Sequence, residues 1–376
     1  MPDNELDIKQ KRLAEFLERH GLDGVLLGRR NNFAWITGGR DNRIANFTPV
    51  GVASILAMRD GKRLCLTNTI EAPRFRTEEL AGAGIDVIDW PWYDAAAAQR
   101  VVKDVIAGRK IAADVSDIGE FNHFDAGFSK LPDDFGELRW SLTPAEVQRY
   151  RDGARRTSIA MEAACRRLNR GINEHDVSGI LDEEMHRQHL NPVVNLIASD
   201  DRIAKYRHPI AVNKPVERYV MLVICSEFGG LITSMTRFVS FVPLTEDLKR
   251  RQRAVANVDA AINFSTKPGR TLGEMFQVLQ KAYADQSFAD EWKLHHQGGS
   301  AGYNAREVVA VPSHPATVRE NQAFAWNPSI TGVKSEDTIL ASSDGIEFLT
   351  QTSKDWPTVT ATFEGREVRR PEILVL

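Results

Sequence analysis

Residues 218–242, RYVMLVICSEFGGLITSMTRFVSFV, contain two apolar runs of strand length that are separated by Gly229 and Gly230. A pair of glycines between runs rich in β-branched and aromatic residues predicts an antiparallel hairpin, because glycine adopts the positive φ angles that tight turns require. Helical patterns lie before and after this stretch, at 145–168, 173–189, 247–264 and 272–286. We therefore predict that the C-terminal part of the chain combines this hairpin with helices.

The first 140 residues alternate helical and strand-like patterns. An amphipathic helix is predicted for IKQKRLAEFLERHG, and short apolar runs of strand character follow it, at 24–27, 33–37, 52–58 and 63–68. This alternation predicts an α/β domain with a mixed or parallel sheet. Proline, glycine and charged residues cluster in LPDDFGELRWSLTPAE, so we place a boundary there, between a domain of residues 1–140 and one of residues 141–376.

Composition excludes several classes of protein. The chain has 376 residues, of which 42% are hydrophobic and 26% charged, values typical of globular proteins, and its net charge of −3 gives no general attraction to nucleic acid or membrane surfaces. The three cysteines are far apart, which disfavours a disulfide framework and a thiolate metal site. The N-terminus lacks the apolar segment of a signal peptide, so we expect a cytoplasmic protein.

The segment DDRIAKYRHPIAVNKP places His208 in a polar loop between a helix and a strand. Loops on a rigid scaffold often carry catalytic groups, so His208 is a candidate catalytic residue. A capping or surface role is the alternative at this point.

The segment LHHQGGSAGYNARE is the richest polar stretch of the chain. In an extended segment adjacent side chains point in opposite directions, so we expect at most one of His295 and His296 to face a site. The glycines permit close approach of a ligand, and Arg306 is suited to bind a carboxylate. A glycine-rich surface turn is the alternative, and the spacing matches neither a dinucleotide-binding nor a P-loop motif.

The segment FAWNPSITGVKSEDTIL consists of an apolar run, a turn at Asn327-Pro328 and a second apolar run after Glu336. This pattern predicts a hairpin in which Asn327 and Glu336 face one another. A hairpin with charged edges and no function is the alternative.

The order of these segments resembles the pita-bread fold of creatinase, methionine aminopeptidase and the Xaa-Pro peptidases. YRHP resembles the family's histidine loop, GGLITSMTRFVSF its GYxSDxTRTF strand, HHQGGSAGYNARE its HGxG region and NPSITGVKSEDTIL its EPG…RxEDT hairpin. The resemblance implies an N-terminal α/β domain like that of creatinase and prolidase, followed by an α+β pita-bread domain of the catalytic type.

The peptidases of this family hold two metal ions with two Asp, one His and two Glu ligands. The resemblance carries these ligands onto Val223, Ser234, His295, Asn327 and Glu336, so only the histidine and the last glutamate are retained. Bridging carboxylates offset the charge of two divalent ions, and too few remain here. We therefore expect no metal pair and no other cofactor.

Creatinase resembles the peptidases in fold and works without metal. The resemblance implies that His208 is the catalytic base, that His295 is a second catalytic histidine and that Arg306 binds the substrate. Two glutamates that grip creatine's guanidinium fall on Thr236 and Asn327, so creatine itself is an unsuitable substrate. Ser234, Thr236, Tyr303 and Asn327 complete the candidate substrate-binding residues of this domain.

These inferences predict a metal-independent hydrolase of a C–N bond in a small, carboxylate-bearing molecule. His208 would act as general base, and His295 and Glu336 would position or polarise the reacting group. The family also implies a homodimer in which the N-terminal domain of one subunit helps to close the partner's site. No family role carries over to the polar loop with Arg40 and Arg43, for which we hypothesise substrate selection in the partner's site. The alternatives are a surface role for this loop, an Xaa-Pro-type metallopeptidase with altered ligands and a non-catalytic binding protein.

Overall fold

The computed structural model describes residues 4–115 and 127–376. Within it the chain forms two compact units, one of Met1–Arg139 with Thr143–Glu146 and one of Trp140–Leu142 with Val147–Leu376. No helix in the described part of the chain combines the length and apolar character needed to cross a membrane.

The first unit contains a mixed sheet with strand order β4-β3-β2-β1-β5-β6. The strands are β1 (Gly24–Arg29), β2 (Val50–Met58), β3 (Arg63–Asn68), β4 (Asp86–Trp90), β5 (Ile111–Ala113) and β6 (Ser129–Lys130). The helices are α1 (Glu5–His20), α2 (Arg30–Thr37), α3 (Ala72–Arg74), which continues as a π-helix over Phe75–Glu79, and α4 (Ala95–Ile106), and a 3₁₀ helix spans Asp133–Arg139. Strand β1 pairs antiparallel with β2 and parallel with β5, as a mixed sheet requires.

One predicted strand of this unit is wrong, because residues 33–37 belong to helix α2. Phe33, Trp35 and Ile36 are all fully buried. A short apolar run that is buried on every side has no periodicity to separate helix from strand. The candidate residues Arg40 and Arg43 consequently lie in a loop between a helix and a strand.

The remaining chain forms the helices and strands of the second unit. The helices are α5 (Pro144–Arg166), α6 (Glu174–Arg187), α7 (Asp201–Lys205), α8 (Glu246–Ser265) and α9 (Leu272–Asp285), with a 3₁₀ helix over Glu291–Leu294. The strands are β7 (Asn191–Ser199), β8 (Tyr219–Phe228), β9 (Leu231–Ser240), β10 (Gly298–Ala301), β11 (Val308–Val309), β12 (Gln322–Trp326), β13 (Ser329–Ile330), β14 (Val333–Lys334), β15 (Asp337–Ser342), β16 (Gly345–Phe348), β17 (Thr358–Phe363), β18 (Arg366–Pro371) and β19 (Leu374–Val375).

The predicted hairpin of residues 218–242 is confirmed as β8 and β9, which pair from Tyr219 with Ser240 to Phe228 with Leu231. Gly229 and Gly230 form the turn and have positive φ angles of 54° and 78°. The hairpin lies inside a sheet of order β19-β9-β8-β7, and a second sheet has the order β11-β10-β12-β15-β16.

Strand β8 contributes to a hydrophobic core on each of its faces. Leu222 and Ile224 belong to the core that contains residues of α5 and α6, whereas Val223 belongs to the core that contains residues of α8 and α9. Alternating side chains of a strand point to opposite faces, which explains the near-continuous apolar run of β8. Val223 is therefore a packing residue of the second core.

Candidate active site

The loop that carries His208 lies between helix α7 and strand β8. Arg207 anchors it by donating from Nη2 to Glu291 Oε2 at 3.1 Å and to Thr331 Oγ1 at 3.0 Å. Glu291 opens the 3₁₀ helix that ends immediately before His295. Arg207 thus connects the segment of His208 to the segment of His295.

The imidazoles of His208 and His295 are in contact. Their Nε2 atoms lie 3.1 Å apart, which is a hydrogen-bonding distance, and their ring centroids lie 4.8 Å apart. One nitrogen must accept this bond, so at least one ring is neutral. His208 is exposed to solvent, whereas only 9% of His295 is exposed. The pair therefore joins a solvent-accessible ring to a buried one.

His296 lies in the same cluster, so the expectation that at most one of the adjacent histidines faces the site is wrong. Its ring stacks on that of His295 at a centroid distance of 4.4 Å and lies 5.4 Å from that of His208. The expectation assumed the regular alternation of a strand, but these two histidines lie between the 3₁₀ helix and strand β10, which begins only at Gly298. The Gly298 N–H donates to His296 Nδ1 at 3.3 Å and holds this ring.

The histidines of the cluster have lowered pKa values. Burial lowers the pKa of His208, and the positive charge of Lys334 adds to this effect. The same two causes lower the pKa of His295 to about 2, whereas burial and the charge of Arg306 lower that of His296 to about 4. All three imidazoles are therefore neutral at neutral pH, the state in which a histidine can accept a proton.

Glu336 is a buried carboxylate that directly precedes strand β15. Its Oε2 accepts a hydrogen bond from Thr236 Oγ1 at 2.6 Å and lies 2.8 Å from Lys334 Nζ, while its Oε1 accepts from Arg306 Nη2 at 3.0 Å. Burial raises the pKa of Glu336, but the charges of Lys334 and Arg306 and these hydrogen bonds lower it to about 2. Glu336 is therefore ionised at neutral pH.

Strand β9 supplies Ser234 and Thr236, which lie two residues apart and so on one face of the strand. The Thr236 N–H donates to the carbonyl of Glu336 at 3.1 Å, and Ser234 Oγ accepts from Arg306 Nη1 at 3.2 Å. Ser234 also exchanges hydrogen bonds with Thr338 of β15, each of 2.9 Å. These contacts hold β9 against β15 and bring four predicted site residues together.

Asn327 follows strand β12 directly. Because Trp326 pairs with Asp337, the continuation of this register places Asn327 beside Glu336, as predicted for the hairpin. Asn327 Oδ1 and His295 Nδ1 are buried atoms that lack a hydrogen-bond partner among the described residues. Buried polar atoms are normally paired, so these two atoms are available to a bound molecule.

The other three candidate residues are Tyr303, Arg40 and Arg43, and their contacts are different from those of the histidine cluster. Tyr303 is buried, and its hydroxyl accepts a hydrogen bond from Arg149 Nη2 at 3.0 Å, which gives it a structural contact. Arg40 is exposed in the first unit, and Arg43 Nε pairs there with Asp41 Oδ2 at 3.1 Å. The structure of a single chain does not bring them to a partner's site, so their role in a dimer stays a prediction.

The five positions that correspond to metal ligands do not fit a carboxylate-bridged metal pair. Val223 is packed in a hydrophobic core, and Ser234 and Asn327 are uncharged. Glu336 is the one carboxylate of the set, and two cations already neutralise it. Within residues 4–115 and 127–376, the group close enough to hold a single ion is His208, His295 and His296, whose ligand nitrogens lie within 4.8 Å, but Lys334 and Arg306 would repel a cation there.

Sequence reasoning missed Lys334 and the contribution of His296. Lys334 is only 7% exposed. Its neighbours Ser335 and Glu336 are polar, so the sequence of this segment is typical of an exposed, charged turn. A signal was present in the resemblance, because Lys334 occupies the place of the arginine in the family's RxEDT pattern.

Comparison with known protein families places two models on the chain. The model described as creatinase/prolidase N-terminal domain matches residues 9–134, and the model described as metallopeptidase family M24 matches residues 148–343. These matches confirm the two-domain architecture and the pita-bread resemblance expected from the sequence.

Individual relatives agree with the family models. An Xaa-Pro dipeptidase of Pyrococcus horikoshii is 21% identical over 368 residues, which cover 92% of this chain and 98% of that protein. An Xaa-Pro dipeptidase of Pyrococcus furiosus is 23% identical over 239 residues, which cover 61% of this chain and 68% of that protein. The crystal structure of prolidase from Pyrococcus horikoshii OT3 superposes with a TM-score of 0.76 at 20% identity and covers 92% of this chain and 99% of that one.

Proposed function

Because the chain belongs to metallopeptidase family M24, we propose that it hydrolyses a C–N bond of the peptide type in a small molecule that bears a carboxylate. The names of the relatives favour a peptidase over a creatinase-like enzyme, so an Xaa-Pro dipeptide is the first candidate substrate. The site favours catalysis without a metal pair.

The observation that carries the proposal is the neutral histidine pair beside an ionised glutamate. His208 is solvent-accessible, has a lowered pKa and contacts His295 at 3.1 Å. A general base must be unprotonated and within reach of water, and His208 meets both conditions. His295 orients the base through this contact, and Glu336 fixes the cations of the site.

In the proposed reaction, His208 takes a proton from water while the water oxygen bonds to the carbonyl carbon of the substrate. The π electron pair of the carbonyl moves to its oxygen, which becomes an oxyanion. The oxyanion then reforms the carbonyl, the C–N bond breaks, and the proton held by His208 passes to the leaving nitrogen. The products are a carboxylic acid and an amine, and the histidine returns to its neutral form.

Binding of the substrate is assigned to the polar groups around this pair. Arg306 supplies positive charge for a substrate carboxylate, with Ser234 and Thr236 beside it. Asn327 Oδ1 is a buried acceptor without a partner among the described residues and suits an N–H group of the substrate. We further propose that the chain is a homodimer and that Arg40 and Arg43 of one subunit select the substrate bound by the other.

The second candidate function is an Xaa-Pro-type metallopeptidase with altered ligands. The similarity of the whole chain to an Xaa-Pro dipeptidase favours it. It requires a metal ion to bind where the remaining carboxylate, Glu336, already pairs with Lys334 and Arg306. A third cation beside these two is electrostatically unfavourable.

The experiment is an assay of product release from Ala-Pro, Gly-Pro and a set of non-peptide N-substituted amino acids, with and without Mn²⁺ or Co²⁺. We expect hydrolysis of at least one dipeptide, and a decrease in kcat of about 100- to 10,000-fold for His208→Ala, the usual contribution of a general base. His175→Ala, which changes an exposed histidine of α6, is the matched control. Unchanged turnover by His208→Ala would remove the assigned base, and a complete lack of turnover of the set would favour a binding protein.

A further inference from the structure

Lys334 is a buried cation that has no role in the reaction proposed above. It ends strand β14 and is only 7% exposed. Its ammonium group carries three hydrogens, and its one partner among the described residues is Glu336, at 2.8 Å. Because a buried N–H without an acceptor is costly, the remaining hydrogens require an oxygen atom from a bound molecule or from water.

Lys334 is also the charge with the greatest effect on His208, His295 and Glu336, whereas Arg306 has the greatest effect on His296. After burial, its charge is the largest cause of the lowered pKa of both His208 and His295, and it is the strongest of the attractions that lower the pKa of Glu336. The geometry agrees, because the ammonium lies 2.8 Å from Glu336 Oε2, and Asn327, placed beside Glu336 by the strand register, donates from its N–H to the Gln297 carbonyl at 3.1 Å. Gln297 is two residues after His295, so the cation belongs to the same cluster of groups as the proposed base.

The other cation of the site is less suited to a reacting oxygen. Arg306 Nη1 donates to Ser234 Oγ at 3.2 Å and to the carbonyl of Ala305 at 2.6 Å, and Nη2 donates to Glu336. Both terminal nitrogens of the guanidinium therefore have acceptors, and the Nε–H, a buried donor without a partner among the described residues, is left for the substrate carboxylate assigned to Arg306. Lys334 supplies the further donors that a second, reacting oxygen needs.

From these contacts we propose that Lys334 is a catalytic residue, which holds the carbonyl oxygen of the scissile bond as it becomes an oxyanion. The inference rests on the proposed C–N bond hydrolysis and assigns to a protein ammonium the electrostatic stabilisation that metal ions supply in other hydrolases. The ligand class is an oxyanion or a carbonyl oxygen that acquires negative charge. Glu336 is then a positioning residue, which fixes the ammonium through its carboxylate.

The first test measures kinetics with Ala-Pro for the wild type, Lys334→Met and Lys334→Gln, two variants of similar size that guard against a folding defect in either. Lys249→Met is the matched control, because Lys249 forms a similar ion pair with Glu246 at 2.9 Å on an exposed part of α8. We expect kcat to fall by about 100- to 1,000-fold in both Lys334 variants, with little change in KM and no change in the control. An unchanged kcat, or a raised KM alone as expected for an anchor of the substrate carboxylate, overturns the proposal.

The second test needs no turnover, which separates the failure of this inference from failure of the proposed function. Inorganic phosphate, a tetrahedral anion, is titrated by calorimetry into the wild type and the same variants. We expect binding by the wild type and by Lys249→Met, and binding at least about tenfold weaker in both Lys334 variants, as for loss of a charged hydrogen bond. Equal binding by all four proteins, or no binding by the wild type, contradicts the proposal, whereas the expected pattern without dipeptide hydrolysis removes the proposed reaction and retains the oxyanion site.

Discussion

Glu336 and Asp337 are adjacent in the sequence, and both are buried carboxylates that contact two cations, yet their surroundings differ. Glu336 pairs with Lys334 and Arg306 beside the histidine cluster. Asp337 pairs with Arg237 at 2.8 Å and with Arg370 at 2.7 Å, and Arg370 also pairs with Asp259. One group is a candidate active site, and the other is part of the protein core.

The difference between the two groups is their balance of charge. Around Asp337 two arginines face two aspartates, so the buried network is neutral. Around Glu336 two cations face one carboxylate, and the neighbouring imidazoles are neutral, so one positive charge is left over. A buried excess of positive charge is unfavourable unless an anion binds. Ion pairs of the same kind can therefore either stabilise a fold or prepare a site for negative charge.

The largest effect is expected from breaking the neutral network with Asp337→Asn. This substitution removes one of the two carboxylates that balance the charges of Arg237 and Arg370 inside the protein. Removing one partner of a buried ion pair typically costs about 3–5 kcal/mol, so we expect a decrease of that size in the free energy of unfolding. Denaturant unfolding measures it, and a decrease below about 1 kcal/mol would show that the network contributes no more than a surface pair.

A smaller loss of stability is expected from Glu336→Gln, because its cations Lys334 and Arg306 are 7% and 12% exposed, against 2% and 3% for the two arginines of Asp337. The amide keeps an acceptor for Thr236 but leaves Lys334 and Arg306 without their carboxylate. We expect a decrease in unfolding free energy of about 1–3 kcal/mol, together with a loss of turnover on the identified substrate. A stability loss as large as that of Asp337→Asn with full turnover would make Glu336 a purely structural residue.

The histidine cluster predicts a dependence of stability on pH. The pKa of His295 is about 2 in the folded protein against an ordinary value of 6.5, so between these values the unfolded chain binds a proton that the folded chain does not. Stability is therefore present above pH 6.5 and is lost as the pH falls below it, by up to about 1.4 kcal/mol per pH unit. In His295→Gln we expect this slope to decrease by about that amount between pH 6 and pH 4. An unchanged slope would show that His295 is protonated in the fold.

The smallest effect is expected at an exposed ion pair, which serves as a control for the two buried groups. Arg151 and Glu347 form a bidentate pair at 2.7–3.2 Å with both side chains at least 40% exposed. Such pairs contribute about 0.2–1 kcal/mol, so Glu347→Gln should change the unfolding free energy by no more than that and leave turnover intact. A loss comparable to that of Glu336→Gln would remove the distinction between buried and exposed pairs.

The comparison also shows what could be predicted from the sequence. The β8–β9 hairpin followed from a local pattern, two apolar runs and a glycine pair. Helix α2 was mistaken for a strand because burial on every side removes the periodicity that separates the two. The edge strand β7 was not predicted.

In the site, resemblance placed His208, His295, Arg306 and Glu336 together, and the structure brings His208 within 3.1 Å of His295 and Arg306 within 3.0 Å of Glu336. Lys334 was missed because its burial depends on the β13–β14 hairpin and on a partner two residues away, neither of which a charged KSED segment indicates. His296 was excluded by an alternation rule that holds within a strand, whereas both histidines precede strand β10. Long-range packing and the exact start of a strand are the two properties that sequence patterns indicate least.

The most direct test of the account measures bound metal by mass spectrometry after the protein has been incubated with excess Co²⁺ or Mn²⁺ and separated from free ions. The central claim is that Lys334 and Arg306 supply the positive charge that a metal pair supplies in other members of the family. It predicts far less than one equivalent of metal per chain, with hydrolysis that survives treatment with a chelator. One or two equivalents of metal per chain, and hydrolysis that disappears with the chelator and returns with the ion, would contradict it.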